Sequence, residues 1–291
     1  MDSDFSKEDQ RKTLVPDITA INILDLDQCE SKPLPSLAKP FLFGVREYLA
    51  EFVGTLLLVL FGDGAVAQTT INPAAAGSGY LSINLGFAFG LTCAIFVAGP
   101  ISGAHLNPAV TLAQVLVRKF PLKKVIGYML AQVLGAFAAS ALVYLIYWPA
   151  FSALDGGVRQ VTGSEATAGI FATYPNPNAP NFNSFITESI ITAVFILCIL
   201  AITDPRSKTP FHVGALAIGL TIGVVGLSLG VMTGYALNPA RDFGPRLFTA
   251  VAGWGVETFT ASDYYFWVPI LGPFLGGALA ALLYSPFVYA E

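Results

Sequence analysis

Apolar residues in this chain neither alternate nor recur every third or fourth position; they run on in long stretches separated by short polar turns. Six stretches, 45–68, 80–98, 125–148, 182–203, 213–232 and 264–289, are long enough to cross a bilayer. A hydrocarbon core of roughly 30 Å takes about 20 helical residues. Two further apolar stretches, to 117 and to about 250, reach only half that depth. Each opens with the same phrase: Leu106-Asn107-Pro108-Ala109-Val110 and Leu237-Asn238-Pro239-Ala240-Arg241. Asn followed by Pro reads as an N-cap and a first helical residue, because Asn accepts orphan backbone N–H groups and Pro lacks the donor that would go unpaired. Two half-length helices meeting head to head would together span the membrane.

The order of these stretches predicts an inverted repeat. Each half holds three spans with its Asn-Pro-Ala phrase between the second and third, and an odd number of spans per half forces opposite insertion. Repeat one covers about 44–150 and repeat two about 182–291, joined by a Gly-, Pro-, Asn- and Thr-rich loop over 149–181. Glu51 in the first span and Glu188 in the fourth precede their phrases at similar distances. Residues 1–43 are polar, carry Pro33, Pro35 and Pro40, and predict a disordered cytosolic tail with Ser6, Thr13, Thr19, Ser31 and Ser36 as candidate phosphorylation sites. The tail has no apolar core of the kind a cleaved signal peptide needs.

Composition narrows the class. With 54% hydrophobic and 12% charged residues the chain cannot cover its own surface in water, where charged residues make up about a quarter of a soluble protein. A net charge of -4 gives no nucleic-acid footprint. Cys29, Cys93 and Cys198 lie far apart, and the two histidines, His105 and His212, form no metal motif, so neither a disulfide framework nor a bound metal is expected. Lys and Arg concentrate in the tail, at 118–124 and at 204–208, all on one side of a six-span arrangement. That bias places both termini in the cytosol.

Two segments, Ser-Gly-Ala-His-Leu-Asn-Pro-Ala-Val (102–110) and Asn-Pro-Ala-Arg-Asp-Phe-Gly-Pro-Arg (238–246), carry a resemblance. Over about 44–289 the chain resembles the major intrinsic protein family of aquaporins and glycerol facilitators. The resemblance implies an all-α membrane protein with six transmembrane helices plus two half-helices, acting as a passive channel with no cofactor. It further implies a homotetramer in the lipid bilayer, in the plasma membrane. The asparagine NH₂ groups would donate into the pore, and the two positive helix ends would disfavour cations. Glu51 and Glu188 would brace the loops by accepting backbone N–H bonds, since a carboxylate at membrane depth needs an inward partner. His105 reads equally as a pore donor and as a packed histidine.

The family's constriction positions fall on Phe87, Gly226, Tyr235 and Arg241. Water-selective members carry His where Gly226 stands, and the Gly leaves room for a larger solute. Arg241 would donate to solute hydroxyls. Asp242, a marker of the glycerol subclass, agrees, as do Tyr144, Arg246, Pro269, Ile270 and Tyr174-Pro175-Asn176-Pro177. The implied solutes are glycerol, other small neutral polyols and water, with urea a further candidate. The pattern is that of a fungal-like aquaglyceroporin with an N-terminal extension. Phe87 and Tyr235 depart from the Trp and Phe usual at their positions.

Three rival readings remain at this stage. A secondary transporter with alternating access also uses inverted repeats and broken helices, and would need Glu51 or Glu188 to couple an ion. A membrane-embedded enzyme would need a nucleophile–base pair, which the spans do not offer. An adhesive protein with an occluded pore would carry no flux.

Overall fold

The computed structural model describes residues 39–72, 79–118 and 120–289. The chain divides into two units, Met1–Phe43 and Gly44–Glu291. The first lies almost wholly outside the described residues, and with it the expected tail and its phosphorylation sites.

All regular structure among the described residues is helical. The helices are α1 (Lys39–Ile71), α2 (Tyr80–Ser102), α3 (Pro108–Arg118), α4 (Leu122–Asp155), α5 (Asn181–Ile202), α6 (Phe211–Leu229), α7 (Pro239–Thr249), α8 (Glu257–Tyr264) and α9 (Val268–Tyr289). Six segments are long and apolar enough to cross a membrane. Their outward faces carry exposed Leu130, Leu134, Leu145, Val224 and Leu282, which water would not tolerate as one belt and lipid solvates. The protein is a multi-pass integral membrane protein. The half-length helices are α3 and α7, each starting at the proline of its phrase.

Close backbone approach builds the bundle. A Cβ on Gly219 would fall 2.4 Å from the Ala88 carbonyl, so α6 can lie directly on α2 only with glycine there. A Cβ on Gly277 would fall 2.7 Å from the Ala109 carbonyl, which seats α9 against the first half-helix. These glycines therefore serve packing within one subunit.

Two features differ from the sequence pattern. Helix α4 continues through Pro149 to Asp155, where a loop was expected from 149. Proline removes one N–H, yet the added turn buries Phe151 against Phe171 and Trp254 and ends on an Asp155–Arg159 ion pair of 2.6 Å. The short α8 also had no periodic signal. It follows a π turn over Ala250–Trp254, and its last residues, Ala261–Asp263, leave helical geometry.

A candidate pore between the two half-helices

The heads of α3 and α7 meet through their asparagines. Asn107 Oδ1 accepts from Ala109 N at 2.8 Å; Asn238 Oδ1 accepts from Ala240 N at 2.9 Å and Arg241 N at 3.2 Å. Their amide nitrogens cross over. Asn107 Nδ2 donates to the Leu237 carbonyl at 2.9 Å, and Asn238 Nδ2 donates to the Leu106 carbonyl at 2.8 Å. The sequence left both NH₂ groups wholly free for a solute, whereas one N–H of each locks the opposite loop. An amide carries two such donors, so one remains per asparagine. Both asparagines and His105 line a cavity of about 20 Å³ whose remaining wall, including Leu58, Val110, Phe195 and Ile222, is apolar.

The approaches to the phrases have matching backbones. Gly103 and Gly234, Ala104 and Tyr235, and Leu106 and Leu237 all hold positive φ, from 42° to 85°. Left-handed geometry costs a non-glycine residue on the order of 1–2 kcal/mol, so something must hold it. Two fully buried carboxylates do. Glu51 accepts from Ser102 Oγ (2.7 Å), His105 N (2.9 Å), Leu106 N (2.7 Å) and Gln132 Nε2 (2.7 Å). Glu188 accepts from Ala236 N and Leu237 N, each at 2.9 Å.

Beside the second phrase, Phe87, Tyr235 and Arg241 come together. The Arg241 guanidinium lies 4.8 Å over the Phe87 ring, and the Phe87 and Tyr235 rings meet edge to face at 5.9 Å. Arg241 Nη1 donates to the Phe171 carbonyl at 2.7 Å and lies 3.4 Å from Asp63 Oδ1. Gly226 sits behind Tyr235, but its missing side chain does not open free space. A Cβ there would lie 1.8 Å from Asn84 Oδ1 and 2.7 Å from the Tyr235 ring, so those side chains occupy the room. Tyr80 further ties the Gly226 carbonyl by a 3.0 Å bond.

The arginine rests on a loop that the second half-helix pins. Asp242 Oδ2 accepts from Thr173 N at 2.7 Å and Thr173 Oγ1 at 2.6 Å. Arg246 bonds Asp242 at 2.8 Å, the Thr173 carbonyl at 2.6 Å and the Thr258 carbonyl at 2.7 Å. Tyr174 stacks 4.8 Å from the Arg246 guanidinium, and burial pushes its phenol up to about 12. Tyr144 contributes differently: it accepts from Arg159 and packs against Phe151, Phe248 and Trp254.

Beside the first phrase a cavity of about 470 Å³ is lined by His105, Gln114, Arg118, Thr203 and Phe211 among others. Arg118 is anchored to the Thr203 carbonyl (2.9 Å) and the Leu200 carbonyl (3.1 Å). His105 is packed within the bundle and also borders open space. Its ring packs on Phe120 and Tyr128 with Nδ1 3.2 Å from Thr111 Oγ1, and it also lines both cavities.

Sequence reasoning missed Asp63, Asn84, Gln132, Phe171 and Thr173. Asp63 gave a usable signal, a carboxylate deep inside the first apolar run, well past Glu51. The others have ordinary residue types in unremarkable contexts, and only folding brings them to the site.

Comparison with known proteins follows the same outline. The Major intrinsic protein family profile matches residues 39–284. Aquaglyceroporin-2 of Rhizophagus irregularis is 49% identical over 248 residues, 85% of this chain and 78% of that protein. Aquaporin-7 of Mus musculus is 44% identical over 246 residues, covering 84% and 80% of the two chains. The X-ray structure of the aquaglyceroporin from Plasmodium falciparum superposes with a TM-score of 0.76 at 33% identity, over 85% of this chain and 99% of that one. Sequence match, shared architecture and the paired half-helices agree, and the chain belongs to the major intrinsic protein family, with aquaglyceroporins among its relatives.

Proposed function

We propose that this protein is a passive channel for glycerol, other small neutral polyols and water, with urea a further candidate solute, and that it excludes ions and protons. The observation that carries the reading is the two-sided constriction. Phe87 and Tyr235 present aromatic surface, while Arg241 presents fixed N–H donors with the guanidinium laid over the Phe87 ring. A polyol in single file has one CH edge and one hydroxyl edge, and this arrangement meets each with its own chemistry.

Beyond the constriction the solute reaches the remaining N–H donors of Asn107 and Asn238. A water or hydroxyl that accepts from both turns its own protons away along the passage, and the positive ends of α3 and α7 oppose cations there. Glu51 and Glu188 act as braces that keep the left-handed loops in place; their bonds among the described residues go to the two approaches, to Ser102 at the end of α2 and to Gln132. That employment also argues against the alternating-access reading, because neither carboxylate is free to couple an ion. Asp242, through Thr173 and Arg246, supports the loop whose Phe171 carbonyl orients Arg241. The channel works as a homotetramer in the plasma membrane with both termini cytosolic, in line with the Lys and Arg bias and the family.

Purified protein in proteoliposomes tests this by light scattering. Vesicles should shrink under an impermeant osmolyte faster than empty liposomes, and reswell when glycerol is the osmolyte. Flux that saturates at low glycerol concentration, or follows a pH or sodium gradient, would return the alternating-access reading. No glycerol flux at all would sink the proposal.

A further inference from the structure

Asp63 is the feature of the constriction that the pore chemistry above leaves unused. It lies in α1, is fully buried, and neither carboxylate oxygen receives a hydrogen bond among the described residues. The cation in reach is Arg241, whose Nη1 is 3.4 Å away. The other charges nearby are spoken for: Asp242 and Arg246 pair with each other at 2.8 Å. Neighbouring Gly62 ties the same turn of α1 to the pore, since a Cβ there would overlap the Phe87 ring at 2.1 Å. One turn of α1 thus seats the ring beneath Arg241 and sets a carboxylate beside its guanidinium.

We propose that Asp63 is the counter-ion of Arg241, and that the pair, rather than the arginine alone, sets the charge a solute meets at the constriction. The inference rests on the channel reading above. A carboxylate buried at membrane depth persists only with a partner, and a buried guanidinium close to it is neutralised as a unit. The Phe171 carbonyl and the Phe87 face already fix the direction of Arg241, so Asp63 acts on it chiefly through charge. A paired constriction is electrically near neutral. It presents donors to hydroxyls without the net positive charge that would draw anions in, and exclusion of cations falls mainly to the two helix ends. Removing either partner should therefore change which ions leak, and in opposite directions.

The test uses full-length protein in proteoliposomes with ion-sensitive dyes, alongside glycerol flux. Asp63→Asn keeps the shape and leaves Arg241 uncompensated; nitrate permeability should rise about tenfold or more over wild type, while potassium permeability stays at background. Arg241→Ala leaves a lone carboxylate beside the passage and should admit potassium or protons. The double variant Asp63→Asn/Arg241→Ala should lose that cation leak, because its carboxylate is gone. A purely structural Asp63 would give the reverse: Asp63→Asn would lower all fluxes together, and adding it to Arg241→Ala would deepen the defect. Should Asp63→Asn fail to fold, the double variant must fold better, since removing both members of a buried pair is tolerated more than removing one. An unfolded double variant, an unchanged nitrate flux or a cation leak that persists without Asp63 overturns the inference. Wild-type glycerol flux reports on the channel reading alone, so the two can fail separately.

Discussion

Glu188 uses separate oxygens for the Ala236 and Leu237 N–H groups, and an amide cannot do the same, because one of its two ends is a donor. In Glu188→Gln at least one buried N–H loses its acceptor. Each hydrogen bond to a charged group is worth roughly 1.5–3 kcal/mol, so the variant should melt at a lower temperature and carry less water and glycerol alike. Normal flux with a lost pH response would instead make Glu188 a titrating sensor. Gly226 makes a different prediction, since its Cβ position is taken by Asn84 Oδ1 and the Tyr235 ring. Gly226→Ala should push Tyr235 toward Phe87 and Arg241 and narrow the passage. Glycerol flux should fall several-fold more than water flux in the same vesicles, and Gly226→His should exaggerate the difference. Equal losses would mean a collapsed pore, and unchanged glycerol flux would place the size limit elsewhere.

Between elements, the turn from α5 to α6 is joined to α9 by Asp204. Its carboxylate accepts from Arg206 N (2.8 Å), Nε (3.0 Å) and Nη2 (2.8 Å), and from the Tyr284 hydroxyl. Arg206 first, then Tyr284, holds the Asp204 carboxyl well below the usual carboxylate range. A carboxylate with a depressed folded-state value stabilises the fold above its unfolded value of about 3.9, and that stability is lost as pH falls toward the folded value. Asp204→Asn should therefore lower the melting temperature by a constant amount above about pH 5. The gap to wild type should narrow below about pH 4, where the unfolded wild-type chain takes up a proton on Asp204 while the folded carboxylate stays ionised. Thermal unfolding in detergent across that range checks it; a gap that widens on acidification would have the sign wrong.

For the whole molecule, the reciprocal asparagine bonds make the two repeats one mechanical unit. Asn107 holds the loop that leads to Asn238, and Asn238 holds the loop that leads to Asn107. Loss of either frees the loop that presents the other, so the two substitutions share one network. Asn107→Ala and Asn238→Ala should each destabilise, and the double variant should be less destabilised than the sum by about 0.5–3 kcal/mol. Additivity within about 0.5 kcal/mol would show that the two locks act independently.

The sequence alone determined whatever depends on neighbours along the chain. Six long apolar runs and two half-length ones fix the span count, because hydrocarbon thickness sets helix length. Asn-Pro fixes where α3 and α7 begin, because cap and first-turn chemistry are local, and the repeated phrase gives the inverted order. Tertiary structure decided what depends on residues far apart in the chain. The continuation of α4 past Pro149 required Phe171, Trp254 and Arg159 to cover and pair the added turn. The room beside Gly226 went to Asn84 and Tyr235, which no spacing rule could assign. The charge state of the constriction depends on Asp63 in α1 meeting Arg241 in α7. Cap and hydropathy signals act within a few residues; packing and electrostatics act through space, and they exist only once α1, α2, α6 and α7 converge.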